Sequence, residues 1–202
     1  TQTQQAEFQA IGFSRFFGLN SIRFYDCDSR AMAKFSANLK RQRWALMPCR
    51  SIIEAVSRAD IVITATAAKK RQSLFEIGDI AAGTHIHAMG GDCPGKTEFS
   101  ENLLRQVKLV VEYMPQSLQE GEAQQVGPGQ VHAELWELIA GKKAERENAE
   151  EITLFDSVGF ALEDYSILRV VYELASVYRL GTELSMLPEP EDPKNLFGLL
   201  DF

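Results

Sequence analysis

The stretch Gly90-Gly-Asp-Cys-Pro-Gly-Lys96 holds the residue types with the most chemical reach in this sequence. An aspartate and a lysine stand four residues apart in a segment whose three glycines and one proline specify a shaped loop. If burial tunes its pKa, the Asp92 carboxylate can act as a general base toward an amine or a water. The alternative is a plain turn with Asp92 and Lys96 on its surface. The loop directly follows His85-Ile-His-Ala-Met89, which has strand character. That order sets it at the carboxyl edge of a sheet, where open α/β sheets bind ligands.

A second acid, Asp26, ends the strand-like run Ser21-Ile-Arg-Phe-Tyr25. In a dinucleotide-binding fold the acid at this place accepts hydrogen bonds from ribose hydroxyls. A strand-end turn over Asp26-Cys-Asp28-Ser29 accounts for it equally well, and pattern alone does not separate the two. The glycine loop that should precede it has no counterpart. Thr1-Gln-Thr-Gln-Gln-Ala6 stands in its place, with Cβ atoms where close approach to a pyrophosphate favours glycine. No apolar run precedes Thr1, so the first strand of such a sheet is also missing. Either the sequence starts within the fold, or it belongs to a degenerate relative that no longer binds the dinucleotide in the usual way. The N–H groups of the first helix can still attract an anion.

Other reactive side chains fit blander roles. His85 and His87 share one face of a strand, but a third metal ligand is not evident, and no metal is expected. Cys93 lies beside Asp92 without a histidine nearby in sequence, and a small buried loop residue is the simpler reading. Trp44 and Trp136 suit a core or an interface.

The elements that must position these residues alternate between β-branched runs and amphipathic stretches. Helices are expected over 4–17, from a Ser29 cap to about Lys40, after a Ser51/Glu54 capping box, after Ser100, over 131–140 and over 161–180. Strands are expected at 21–25, 44–47, 60–64, 85–89, 109–113 and 152–155, with the 60–64 run buried on both faces. The charged segment 142–151 reads as solvated, and the tail from Pro188 as extended. Strands separated by helices at this spacing specify parallel βαβ units, hence an α/β, Rossmann-like, doubly wound sheet. Its expected extent is 1–155, with 156–202 forming the helix and tail of a second lobe.

Composition narrows the function class. The net charge of −7 argues against nucleic acid, whose phosphates need a concentrated basic face. No apolar run is long enough to span a membrane, and no signal peptide is visible. The three cysteines, Cys27, Cys49 and Cys93, form no C-x-x-C pair. These features together lead to an expectation of a cytoplasmic protein.

Several blocks resemble bacterial ornithine cyclodeaminases of the ornithine cyclodeaminase/mu-crystallin family. They are His85–Glu98 (HIHAMGGDCPGKTE), Val111–Gln116 with Glu120-Gly-Glu122 and Gln124-Gln125, Phe155–Tyr165 (FDSVGFALEDY), and Glu191–Phe197 (EDPKNLF). Gln5-Ala-Glu-Phe-Gln9 resembles the residues after the family's glycine loop. The Asp60–Thr66 strand is shared more widely with mu-crystallin and alanine dehydrogenase relatives.

The resemblance implies conversion of L-ornithine to L-proline and ammonia with NAD as a tightly held catalytic cofactor, by hydride transfer, ring closure and hydride return. It implies that Asp92 is the catalytic aspartate and touches the substrate's amino group. Asp26 matches the adenosine-ribose acid. Gln4 and Gln5 fall at the pyrophosphate turn, where the lost glycines weaken the match. Thr66 and the residues Ile86, His87, Ala88 and Met89 match positions lining the cofactor, and Lys96 and Ser157 match further cofactor contacts. Val158 matches a position touching ornithine. The family's substrate-carboxylate arginines and active-site lysine lie upstream of Thr1 and have no counterpart here. The resemblance also implies a homodimer. A related imine reductase or amino-acid dehydrogenase, and a non-catalytic fragment, are the alternatives.

Overall fold

The computed structural model describes residues 2–184 and Lys194, with residues 2–4 described by their backbone alone. The described chain forms two compact units, 1–160 and 161–202. The first begins with a helix α1 (Gln2–Phe17), a strand β1 (Ser21–Phe24), a helix α2 (Ser29–Leu39) and a strand β2 (Ala45–Pro48). Then come α3 (Ile52–Val56), β3 (Ile61–Thr64), β4 (His85–Ala88), α4 (Glu101–Leu104), β5 (Lys108–Val111) and α5 (Met114–Ser117). It closes with β6 (Val131–Glu134), α6 (Leu135–Ile139) and β7 (Thr153–Asp156).

Every strand pairing is parallel, as βαβ spacing requires. One sheet has the order β3-β4-β7-β5-β6, and β1 pairs with β2 in a separate sheet. β1 and β3 share no ladder, so each presents one unpaired edge. The first strand of the expected doubly wound sheet has no counterpart between them among the described residues. The strand latest in the chain, β7, lies in the middle of the larger sheet, between β4 and β5.

Alternation along the strands decides which side chains reach the core. Ile86, Ala88, Leu109, Val111 and Leu154 all turn to one face, where they meet Phe75, Phe99, Leu103 and Leu104. A smaller cluster of Ala10, Phe35, Leu39 and Trp44 joins α1 and α2 to the β1-β2 pair. On the opposite face of β4, His85 bonds Thr153 at 2.8 Å, and His87 packs between Phe13 and Phe155.

Several local expectations need correction. Residues 131–140 are not one helix. Their first half is β6, paired with β5, and only Leu135–Ile139 is helical, started by a Glu134/Glu137 capping box. The pull of an open sheet edge overrides the helical periodicity there. The α2 cap is Asp28, whose carboxylate accepts from Arg30 N, while Ser29 is the first helical residue. Ser51 does cap α3, but the Glu54 carboxylate bonds Arg50 N, so the box is only half formed. β3 is not buried on both faces; Val62 and Thr64 are buried and Ile61 and Ile63 only partly, as suits an edge strand. Pro48 belongs to β2, an edge strand, where a missing N–H costs no ladder bond.

The second unit is described through α7 (Ala161–Tyr178), whose apolar side chains, Leu168 and Tyr172 among them, are exposed. Among the described residues no helix is long and apolar enough to cross a membrane. The tail expected from Pro188 lies, Lys194 aside, outside the described residues.

Candidate functional site

Parallel strands leave their carboxyl ends at one rim, so the segments following β3, β4, β5 and β7 gather there. Hydrogen bonds tie these segments together. Ser157 N donates to Ala88 O at 2.8 Å, joining the end of β7 to the end of β4. Glu98 accepts from Thr66 N at 2.8 Å and Gly90 N at 2.9 Å, joining the segments after β3 and β4. Gln124 accepts from Gly95 N at 2.7 Å and donates to Lys96 O at 3.1 Å, holding the far end of the Gly90–Lys96 loop.

The structure therefore brings Thr66, Met89–Lys96, Ser157 and Val158 to one rim. Asp92 is half-exposed, and its Oδ1 lies 2.8 Å from the Nζ of Lys96, which is buried. An aspartate so placed can meet a ligand at the rim while its charge partner stays inside. Thr66 also accepts at its hydroxyl from Gln72 Nε2 at 3.0 Å. Ser157 donates its hydroxyl to Glu112 at 2.7 Å, and Glu112 also accepts from Val158 N and Gly159 N. The first residues past β7 are thus held by one carboxylate. Beyond them Tyr113 stacks on Phe160 at 5.1 Å.

Other residues singled out in the sequence stand apart. Ile86 and Ala88 are buried in the core cluster, so their side chains face the core and not the rim. His87 turns to the opposite sheet face, where its Nε2 makes no hydrogen bond. Burial lowers both histidines from 6.5 to about 4, with Arg146 adding to the effect on His85 and His85 to that on His87. Asp26 follows β1 on the smaller sheet, and its Oδ1 accepts from Asp28 N at 2.8 Å. That bond makes the strand-end turn and uses one carboxylate oxygen of Asp26. Gln5 is exposed on α1, and the side chain of Gln4 lies outside what is described. A cavity of about 860 Å³ opens elsewhere, on the His85 face, among Phe13, Lys108, Arg146 and Phe155.

Sequence reasoning missed the carboxylates behind the rim. Glu98, Glu112, Glu122 and Asp156 are all buried. Burial raises Glu122 to about 8, against the pull of the Glu98 N–H and with help from the charge of Asp156. It raises Asp156 to about 7, against the Glu122 and Ala123 N–H groups. The available signal was slight: each acid sits next to a glycine-rich turn or at a strand end.

The chain matches the model of the ornithine cyclodeaminase/mu-crystallin family over residues 2–178. It is 44% identical to the ornithine cyclodeaminase of Brucella suis biovar 1 over 97% of its own length and 55% of that protein's. Its fold is similar to an archaeal alanine dehydrogenase dimer with bound NAD, at TM-score 0.81 and 32% identity, covering 91% of this chain and 58% of that one. It is also similar to a lysine cyclodeaminase that recognises L-lysine, L-ornithine and L-2,4-diaminobutyric acid, at TM-score 0.83 and 26% identity, covering 97% and 57%. The chain thus spans a little over half the length of these relatives.

Proposed function

Because this chain belongs to the ornithine cyclodeaminase/mu-crystallin family, we propose that it carries the dinucleotide-binding part of an NAD-dependent cyclodeaminase that turns L-ornithine into L-proline and ammonia. The observation that carries this reading is the pairing of half-exposed Asp92 with buried Lys96 at the rim beside Ser157 and Val158.

The residues present suit a dinucleotide in part. Asp26 has a carboxylate oxygen left for a ribose hydroxyl, and Thr66, Met89, Lys96 and Ser157 lie at the rim where the rest of the cofactor would run. At the first turn of α1, Gln4 and Gln5 offer backbone N–H groups without the close approach that glycine permits. When bound, NAD supplies the hydride acceptor and donor that make the overall reaction redox-neutral.

Asp92 takes and returns a proton at the substrate's amino nitrogen, which its place at the rim allows. Lys96, 2.8 Å away, holds that carboxylate in place. Glu112 holds Ser157 and Val158 against the same space. The net change balances: ornithine loses one nitrogen as ammonia and closes a five-membered ring. On the same reading the whole protein is a cytoplasmic homodimer, and residues 156–202 reach a second lobe.

The test incubates the protein carrying this chain with L-ornithine and NAD and measures proline, ammonia and NADH. Proline and ammonia in equal amounts, without accumulating NADH, support the proposal. Accumulating NADH with a 2-oxo acid and ammonia favours an amino-acid dehydrogenase, the reading suggested by the likeness to alanine dehydrogenase. No turnover leaves a non-catalytic chain.

A further inference from the structure

Three buried carboxylates behind the Asp92 loop form a chain in which each holds the backbone of the segment bearing the next. Asp156, the last residue of β7, accepts from the N–H groups of Glu122 and Ala123, the latter at 2.9 Å. Glu122 accepts from the N–H groups of Glu98 at 2.7 Å and Phe99 at 3.2 Å. Glu98 accepts from Gly90 N, Thr66 N and the Thr64 hydroxyl, the last at 2.5 Å.

Glycines make room for each link. A Cβ on Gly90 would strike the Glu98 carboxylate, one on Gly91 would lie 2.8 Å from Glu122 Oε1, and one on Gly121 would lie 2.7 Å from Asp156 Oδ2.

Burying three acids close together is costly, and apolar side chains of similar volume would pack at less cost. What the acids provide is acceptor capacity for irregular backbone that no ladder satisfies. The two ends of the chain of bonds coincide with the two halves of the rim. Asp156 immediately precedes Ser157 and Val158, while Gly90 opens the loop bearing Asp92 and Lys96.

We propose that Glu122 and Glu98 are positioning residues that relay the placement of the β7 end to the Asp92 loop. The relay rests on the function proposed above for its catalytic consequence, but not for its mechanical one. Glu122→Gln sets an amide NH2 group against the N–H of Glu98 or Phe99 and breaks the middle link.

In the ligand-free protein carrying this chain, hydrogen–deuterium exchange of Glu122→Gln is expected to rise roughly tenfold at residues 64–66 and 90–92, beyond the next link, and to stay unchanged over 131–139. The kcat for proline formation is expected to fall roughly tenfold or more, with KM for L-ornithine changed much less, because a displaced Asp92 still leaves most binding contacts in place. A rise confined to 98–99, a uniform rise, or an unchanged kcat overturns the relay. If Glu122→Gln does not fold, Thr64→Val removes only the hydroxyl bonded to Glu98. Faster exchange at Gly90 in Thr64→Val that Thr64→Ser restores supports the relay, and no change at Gly90 overturns it. A parent protein that makes no proline overturns the proposed function instead, and the exchange measurement then decides the relay alone.

Discussion

Lys96 Nζ lies 2.8 Å from Asp92 Oδ1, yet the lysine side chain is only 4% exposed while the aspartate is 46% exposed. The pair is asymmetric: the cation is fixed inside the protein, and the anion faces the rim. A surface ion pair contributes little because both partners stay hydrated and mobile. Here one partner has given up its water, so the other is oriented as well as attracted.

Asp92→Asn keeps the shape of the side chain and removes its charge and basicity. Proline formation is expected to fall by about 10²–10⁴-fold, the range for loss of a general acid–base group. Because the partner left behind is a buried ammonium, unfolding in urea should also show a loss of about 1–2 kcal/mol, less than for a fully buried pair.

Asp26→Asn separates the turn from the ligand contact. The amide oxygen can still accept from Asp28 N, so the strand end is retained. The loss of charge should weaken NADH binding about tenfold, the usual cost of replacing a charged acceptor, as measured by fluorescence titration.

Two glycine substitutions should have opposite signs. A Cβ on Gly90 meets the buried Glu98 carboxylate, so Gly90→Ala is expected to destabilise by about 1–3 kcal/mol. A Cβ on Gly12, within α1, meets nothing within 4 Å. Gly12→Ala is expected to stabilise by roughly 0.5–1 kcal/mol through helix propensity. Thermal or urea melts of the two variants decide both signs.

The cap of α2 can be tested in the same way. Asp28→Ala removes the acceptor for Arg30 N and should cost about 1 kcal/mol. Ser29→Ala, one residue later, replaces a helical serine with the best helix former and should cost nothing.

Stability should depend on pH through two buried acids and two partly buried histidines. Glu122 and Asp156 rise to about 8 and about 7 from 4.5 and 3.8, so the folded protein binds their protons more tightly than the unfolded chain. Their contribution is complete below the unfolded values and is lost as pH rises through the folded ones. His85 and His87 shift from 6.5 to about 4, so the unfolded chain binds their protons more tightly and stability falls as pH drops through that interval. The two effects oppose each other on the acid side. Between pH 6.5 and 8 only the carboxyl groups of this set act. The melting temperature should therefore decline across that interval, and Glu122→Gln should flatten the decline.

Much of this architecture is legible in local pattern. The helix over residues 4–17, the strand ends near Asp26 and Met89, and the helix start after Ser100 follow from periodicity and capping, which act over a few residues. The Gly90–Lys96 loop could be placed at a sheet rim for the same reason: a strand runs into it. Residues 131–134 could not be read correctly, because their extended form depends on pairing with β5 more than 20 residues earlier.

What the sequence determined by itself is a set of alternating elements, parallel pairing, and an aspartate and lysine presented in one glycine-rich loop. Only the tertiary structure decided that β7 enters between β4 and β5, that Lys96 is buried while Asp92 is not, and that Glu98, Glu122 and Asp156 lie inside. The physical reason is that an acid's burial and its hydrogen-bond partners depend on segments distant in the chain. The Glu98 N–H is held by the side-chain carboxylate of Glu122, 24 residues on, and the Glu122 N–H in turn by the carboxylate of Asp156.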